Sequence, residues 1–182
     1  MLLLNNFEPV DAGGNACIFK LSGTNVAIKL FKSYDHIDFL GHSRDQETIN
    51  LKNFNKVKVF ETERDAYIKA QASEVLRKIT PTYHGTITID GIFNLDGIDI
   101  SKCFLLSCCI SIGFVEGQNM KFEEFKSNNM FNNYGFNRDE IINEFHEYGI
   151  NYLHDSQVIY SDREFRIIDF ATVDRSDVEI IL

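Results

Sequence analysis

Between residues 7 and 32 apolar and polar side chains alternate, broken by turns at Gly13-Gly14 and at Gly23-Thr24-Asn25. Successive residues of a strand face opposite sides, so this period of two with two interruptions predicts three antiparallel strands. From 33 to 58 the pattern dissolves into scattered Asp, His, Asn and Lys, which predicts a loop with a short helix near 44–52. Residues 60–78 are rich in Glu, Ala, Lys, Arg and Gln, and Phe60, Glu63, Tyr67 and Ala70 recur at helical spacing. A helix is expected there, stopped by Thr80-Pro81. Short apolar runs at 86–89, 92–93 and 103–106, separated by Gly91 and Gly97, predict two or three more strands.

Residues 113–137 read as a connector with a short helix at 121–127 and an Asn-rich loop after it. At 138–148 the apolar residues Ile141, Ile142, Phe145 and Tyr148 line one face of an amphipathic helix, with Gly149 as its C-cap. Two short strands, 158–160 and 165–168, follow. A strand-rich first half with one helix and a helix-dominated second half with a hairpin make an α+β protein.

Composition narrows this reading. With 182 residues, 44% hydrophobic and 25% charged, the chain suits a single domain, 1–182, able to bury a core. Sixteen Phe and no Trp predict a core filled largely by Phe. A formal charge of −9 leaves no basic excess for nucleic acid or an anionic membrane, so neither is expected as a partner. Any nucleotide would need local cations to reverse that field. Cys17, Cys103, Cys108 and Cys109 form no C-x-x-C pair and have no His at metal-ligand spacing, which predicts buried thiols in a reduced, cytosolic compartment. No stretch approaches the ~18 uninterrupted apolar residues of a membrane span, and Met1-Leu2-Leu3-Leu4 is too short for a signal-peptide core.

The candidate chemistry lies in four separated stretches: Gly13-Gly14-Asn15-Ala16 before a strand, Val26-Ala27-Ile28-Lys29 on a strand, Glu63 on a helix, and Ile167-Ile168-Asp169-Phe170 at a strand end. In type and order they resemble the protein-kinase superfamily over roughly residues 9–172. The resemblance implies a kinase-like two-lobe fold with a strongly reduced C-terminal lobe, 1–107 forming the N-lobe and 108–182 the C-lobe. Lys29 would bind the α/β-phosphates of ATP, and Glu63 would hold Lys29, with Glu61 as the rival partner. Gly13 and Gly14 would offer backbone amides to the phosphates, although Asp11 and Ala16 stand where the family has its other glycines. Phe104-Leu105-Leu106-Ser107-Cys108-Cys109 resembles the strand beside the adenine pocket. Leu106 would be its gatekeeper, and the backbone of 107–109, with Ser107 and Cys108, would bond the base. Asp155 would accept the substrate hydroxyl's proton, with His154 able to orient it. Asp169 would bind magnesium, with Gln157 as second ligand.

After Ala171 only eleven residues follow, which leaves no room for an activation segment or a peptide-holding platform. In that respect the chain looks like the HopBF-type bacterial type III effector kinases. They imply a monomeric serine/threonine kinase delivered into a host cytoplasm to phosphorylate the 90-kDa heat-shock chaperone. The altered glycine turn and catalytic loop keep a second function open, a pseudokinase that binds a nucleotide or protein without transfer. A small α+β domain unrelated to kinases is the third.

Overall fold

The computed structural model describes residues 2–3, 6–36, 45–151 and 153–170, with side chains described from residue 6 onward. Along the chain run β1 (Leu2–Leu3), β2 (Phe7–Ala12), β3 (Ala16–Leu21), β4 (Val26–Lys32), helix α1 (Gln46–Ala72), the single turn α2 (Leu76–Ile79), β5 (Tyr83–Thr86), β6 (Ile92–Phe93) and β7 (Phe104–Gly113). After them come β8 (Gln118–Lys121), α3 (Phe122–Ser127), α4 (Arg138–Glu147), β9 (Gln157–Tyr160) and β10 (Phe165–Ile168). The protein is α+β, and its chain divides into two compact units, 1–60 with 84–114 and 61–83 with 115–182.

The first unit is built on a five-stranded sheet in the order β2-β3-β4-β7-β5. Its first three strands are the antiparallel run that the alternation predicts. Central strands are covered on both faces, and β4 is accordingly buried at every position after Val26. Cys17, Ile28, Leu30, Ile89, Ile92, Phe104 and Cys109 form its core. Of the expected 86–89 strand only Thr86 lies in β5; Ile87 and Ile89 instead donate single hydrogen bonds to the Cys109 and Leu106 carbonyls. The expected 103–106 strand begins at Phe104 and runs on unbroken to Gly113, across the 107/108 limit drawn between lobes.

Helix α1 corrects the loop expected over 33–58, of which residues 37–44 lie outside the described part. Its buried stripe is Lys56, Val59, Phe60, Glu63, Ala66, Tyr67 and Ala70, with regular helical spacing. Two of those seven positions are charged, while Leu51, Phe54 and Ile68 are exposed. The hydrophobic pattern therefore understates a stripe that burial reveals.

In the second unit β8, β9 and β10 form an antiparallel sheet in the order β10-β9-β8. The β9–β10 hairpin falls where the sequence put it, but β8 was expected only as connector. Phe125, Phe131 and Phe165 meet with ring centroids 5.0–5.5 Å apart, edge-on or tilted, and all three are buried. Helix α4 carries the C-cap expected at Gly149 and, beyond that expectation, an N-cap at Asn137. The Asn137 side chain accepts from the Asp139 and Glu140 N–H groups. At the other end Gly149 takes φ +67, and the Gly149 and Ile150 N–H groups return to the His146 and Phe145 carbonyls.

Candidate active site

In the first unit Lys29 sits in mid-strand, opposite Ile18 on β3 and Ile110 on β7. It is 7% exposed, and its ammonium lies 5.6 Å from the centre of the Phe31 ring. The turn holding Gly13 and Gly14 joins β2 to β3. Neither glycine has a positive φ, and a Cβ at Gly14 would meet nothing within 4 Å. Lysines that the sequence reading passed over tie this turn down. The Lys32 ammonium donates to the Gly13 carbonyl at 2.6 Å, its N–H to the Asn15 carbonyl at 2.8 Å, and the Lys56 ammonium to the Asn15 side chain at 3.4 Å. Lys32 sits three residues beyond Lys29, and nothing local in the sequence distinguishes it from a solvated strand-end lysine.

The stretch 104–109 lies within β7. Between Leu30 and Lys32 the β4–β7 register slips, so that residues 105–108 face Phe31 alone. Leu106 is half-buried against the core, Ser107 is exposed and Cys108 is buried. The Leu106 and Cys109 carbonyls accept from Ile89 and Ile87, so two acceptors of the stretch assigned to the adenine pocket are engaged in the sheet. Burial pushes the Cys109 thiol up to about 12. A thiol held protonated in the core is no nucleophile.

The second unit gathers Glu63, Tyr67, Asp169 and Phe170. Glu63 and Tyr67 stand one turn apart on α1 and share a face. Glu63 is fully buried while Glu61 is exposed, which separates the two rivals for the helix carboxylate. A carboxylate removed from water persists only with compensating charge or donors. Asp169 follows β10 directly and has φ +63, one of two non-glycine residues with a positive φ among those described. The phenol of Tyr67 is buried close to both carboxylates. Burial, then the nearby Glu63 and Asp169 carboxylates, raise that phenol well above its usual range, so it stays protonated. Phe170 turns inward, 2% exposed, with its ring centroid 5.1 Å from that of Tyr67 and 5.9 Å from that of Phe145.

The loop before β9 is pinned at both ends. The Ser156 N–H returns to the Leu153 carbonyl at 3.0 Å, and the Ser156 carbonyl accepts from the first N–H of α3 at 2.9 Å. Between these anchors His154 and Asp155 are exposed, with Nε2 and a carboxylate oxygen 3.3 Å apart. Next to them the Ser156 hydroxyl is buried without a hydrogen-bond partner. The β9–β10 register sets Gln157 opposite Ile168, the residue before Asp169. The hairpin thus carries Gln157 and Asp169 at one end.

No family model matches this chain, and no curated protein sequence matches it. The residues themselves therefore carry the chemical argument. Among the described residues no three His, Cys, Asp or Glu side chains form a metal-binding group. Asp169 and Gln157 offer oxygen ligands, the donor type that hard cations take. Two pockets of the second unit, about 540 and 470 Å³, one beside Gly117 and Tyr160 and the other beside Asn137 and Glu144, include none of the expected site residues. None of the helices among the described residues is long and apolar enough to cross a membrane.

Proposed function

We propose that this chain is a minimal kinase-like phosphotransferase, with a kinase-like two-lobe fold and a reduced C-terminal lobe. It transfers the γ-phosphoryl group of ATP to a protein Ser or Thr hydroxyl. The observation that carries the reading is Asp169: a carboxylate at a strand end, in a left-handed backbone conformation, close to a buried Tyr one turn from a buried Glu. Residues held in sparsely populated backbone regions concentrate at functional sites, and Asp at a tight turn enters this one at low cost. Asp169, with Gln157, would hold magnesium, which would supply positive charge against the nucleotide phosphates.

In this reading Lys29 takes the α/β-phosphates, Glu63 orients Lys29, and Asp169 with Gln157 faces the metal-bound end of the nucleotide. Asp155 accepts the proton of the attacking hydroxyl. Its exposure and its anchored loop suit a group that must reach an incoming protein side chain. The host 90-kDa chaperone remains the proposed substrate, and delivery by a type III system the proposed route, on the strength of the effector resemblance.

The deciding experiment incubates the chain with labelled ATP and magnesium, alone and with a client mixture that includes the chaperone. Asp155→Asn is expected to cut turnover by about two to four orders of magnitude with ATP affinity nearly unchanged, and His154→Ala to have a smaller effect. Equal turnover in Asp155→Asn and wild type removes Asp155 from the catalytic role. Nucleotide binding without any transfer favours the second reading, a pseudokinase. That alternative has its own observation, a glycine turn tied by Lys32 and Lys56 that retains a single family glycine.

A further inference from the structure

We propose that the pocket of about 540 Å³ beside Gly117 and Tyr160 is a guanidinium site, which takes an arginine side chain presented by a partner protein.

The walls of this pocket are the outer edge of the Phe core of the second unit. Tyr134 ends the turn Met130–Tyr134, which Gly135 closes at φ +75. Its ring centroid lies 5.0 Å from that of Phe165 and 6.2 Å from that of Phe125. Tyr160 ends β9, opposite Gln118 on β8 and Phe165 on β10, with its ring centroid 6.0 Å from that of Phe125. Rings packed on buried neighbours in this way form a wall that exists before any ligand arrives.

The polar groups decide what the pocket can take. Both phenol protons are used inside the wall: Tyr134 donates to the Ser161 carbonyl at 2.7 Å, and Tyr160 to the Gln118 side-chain oxygen at 2.8 Å. The tyrosines are left with ring surface and acceptor oxygens. The Asn133 amide donates to the Met130 sulfur at 3.6 Å, which leaves its oxygen as a further acceptor. Asp162 is the one charged side chain of the lining. It sits in the β9–β10 loop, where the Ser161 hydroxyl accepts from the Arg163 and Glu164 N–H groups. Among the described residues no hydrogen bond or ion pair engages its carboxylate: Arg166 pairs with Glu164 at 2.6 Å, and Arg163 is exposed and outside the lining. Burial, then Tyr160 and Asp162, raise the Tyr134 phenol, so these three groups stand together and the phenol keeps the proton it donates.

A carboxylate among acceptor oxygens, ring surface and a thioether, with no cation in the lining, suits a flat cation rich in donors. A guanidinium has its donors fixed in one plane, stacks on aromatic rings and sheds water more readily than the compact lysine ammonium. A nucleotide, or arginine as a free amino acid, would bring an anionic group into a pocket that has Asp162 and no cation to meet it. An arginine inside a chain carries no such group. The formal charge of −9 also favours the approach of a basic partner. This inference goes beyond the phosphotransferase reading and does not rest on it, because the pocket contains none of the residues assigned to that site.

The test titrates the full chain with the capped pentapeptide Gly-Gly-Arg-Gly-Gly and follows backbone amide shifts by NMR. Peptides with lysine or citrulline at the centre, free arginine and adenosine are titrated in parallel. Saturable shifts are expected at the Gly117, Gln118, Ser161 and Asp162 amides with the arginine peptide. Citrulline keeps the shape and loses the charge, so its peptide should bind about tenfold more weakly, the worth of a charge-assisted hydrogen bond. Asp162→Asn should cost about tenfold in affinity for the arginine peptide, with the spectrum away from the pocket unchanged. No saturable shift at these amides overturns the site. Equal affinity for the citrulline or lysine peptide overturns the guanidinium assignment, and unchanged affinity in Asp162→Asn overturns the role of the carboxylate. Tighter binding of free arginine or of adenosine than of the arginine peptide overturns the protein side chain as occupant.

Discussion

Asp169 occupies a backbone region that costs most L-residues about 1–2 kcal/mol, but that Asn and Asp enter readily. This makes Asn the informative replacement: it keeps the turn and removes the charge. Asp169→Asn is expected to melt within a few degrees of wild type and to lose magnesium-dependent nucleotide binding; a large stability loss with binding intact would mark Asp169 as purely structural. Cys109 permits a second single-residue prediction. Burial raises its pKa from the usual 9.0 to about 12, so between those values the folded chain keeps a proton that the unfolded chain has released. Raising the pH then favours unfolding: the contribution is complete below pH 9 and is lost progressively toward 12. The full rise corresponds to at most about 4 kcal/mol. Urea midpoints across this range should fall less steeply for Cys109→Val than for wild type, and parallel curves would exclude Cys109 as a source of alkaline instability. Asp169 and Lys29 stand out in the chain because one follows an apolar strand run and the other interrupts one. Nothing local marks Lys32 or Lys56, whose partners are far away in sequence.

Elements whose signals lie between near neighbours were legible. Helix α4 is read from its apolar face and C-terminal glycine, and the structure has that helix with Gly149 at its end; the sequence reading did not name its N-cap, Asn137. Helix α1 defeated the pattern because Lys56 and Glu63 stand on its buried stripe while Leu51, Phe54 and Ile68 do not. Only the surroundings of each side chain can make a lysine interior and a phenylalanine exterior. Strand β8 was missed because Gln118-Asn119-Met120-Lys121 has almost no apolar alternation; pairing with β9 defines it. Just before it, Gly117 is packed so closely on Tyr160 that an added Cβ would overlap the Tyr160 carbonyl oxygen and come within 2.9 Å of its carbon. Backbone cannot yield as a flexible side chain does. Gly117→Ala should therefore destabilise the chain by about 1–3 kcal/mol in chemical denaturation. Wild-type stability in that variant would show that β8 can move away from β9 at little cost.

For the molecule as a whole, the charge of −9 sets a condition on ligand binding. A polyanionic nucleotide approaches an acidic chain, so its affinity depends on cations that offset this field. At a ligand concentration about a hundredfold above Kd, binding adds ~2.7 kcal/mol of stability. For a chain of this size that corresponds to a rise in Tm of roughly 5–10 °C. ATP with magnesium is expected to give this rise, and chelation of the metal by EDTA to abolish it. The same shift with EDTA present would favour metal-independent binding and the pseudokinase reading.

By itself the sequence determined the α+β class, the three strands within 7–32, helix α4 with its C-cap, the β9–β10 hairpin and the Phe-rich core of the second unit. Each of these follows from alternation, caps or composition, which act between residues a few positions apart. Tertiary structure decided the start of α1, the existence of β8, the slip of register opposite Phe31, the ties on the glycine turn and the burial of Glu63. In all of these a polar or charged group is buried, or a strand is made by its partner. Whether such a group can leave water depends on a donor, an acceptor or a neighbouring strand that folding brings from elsewhere in the chain.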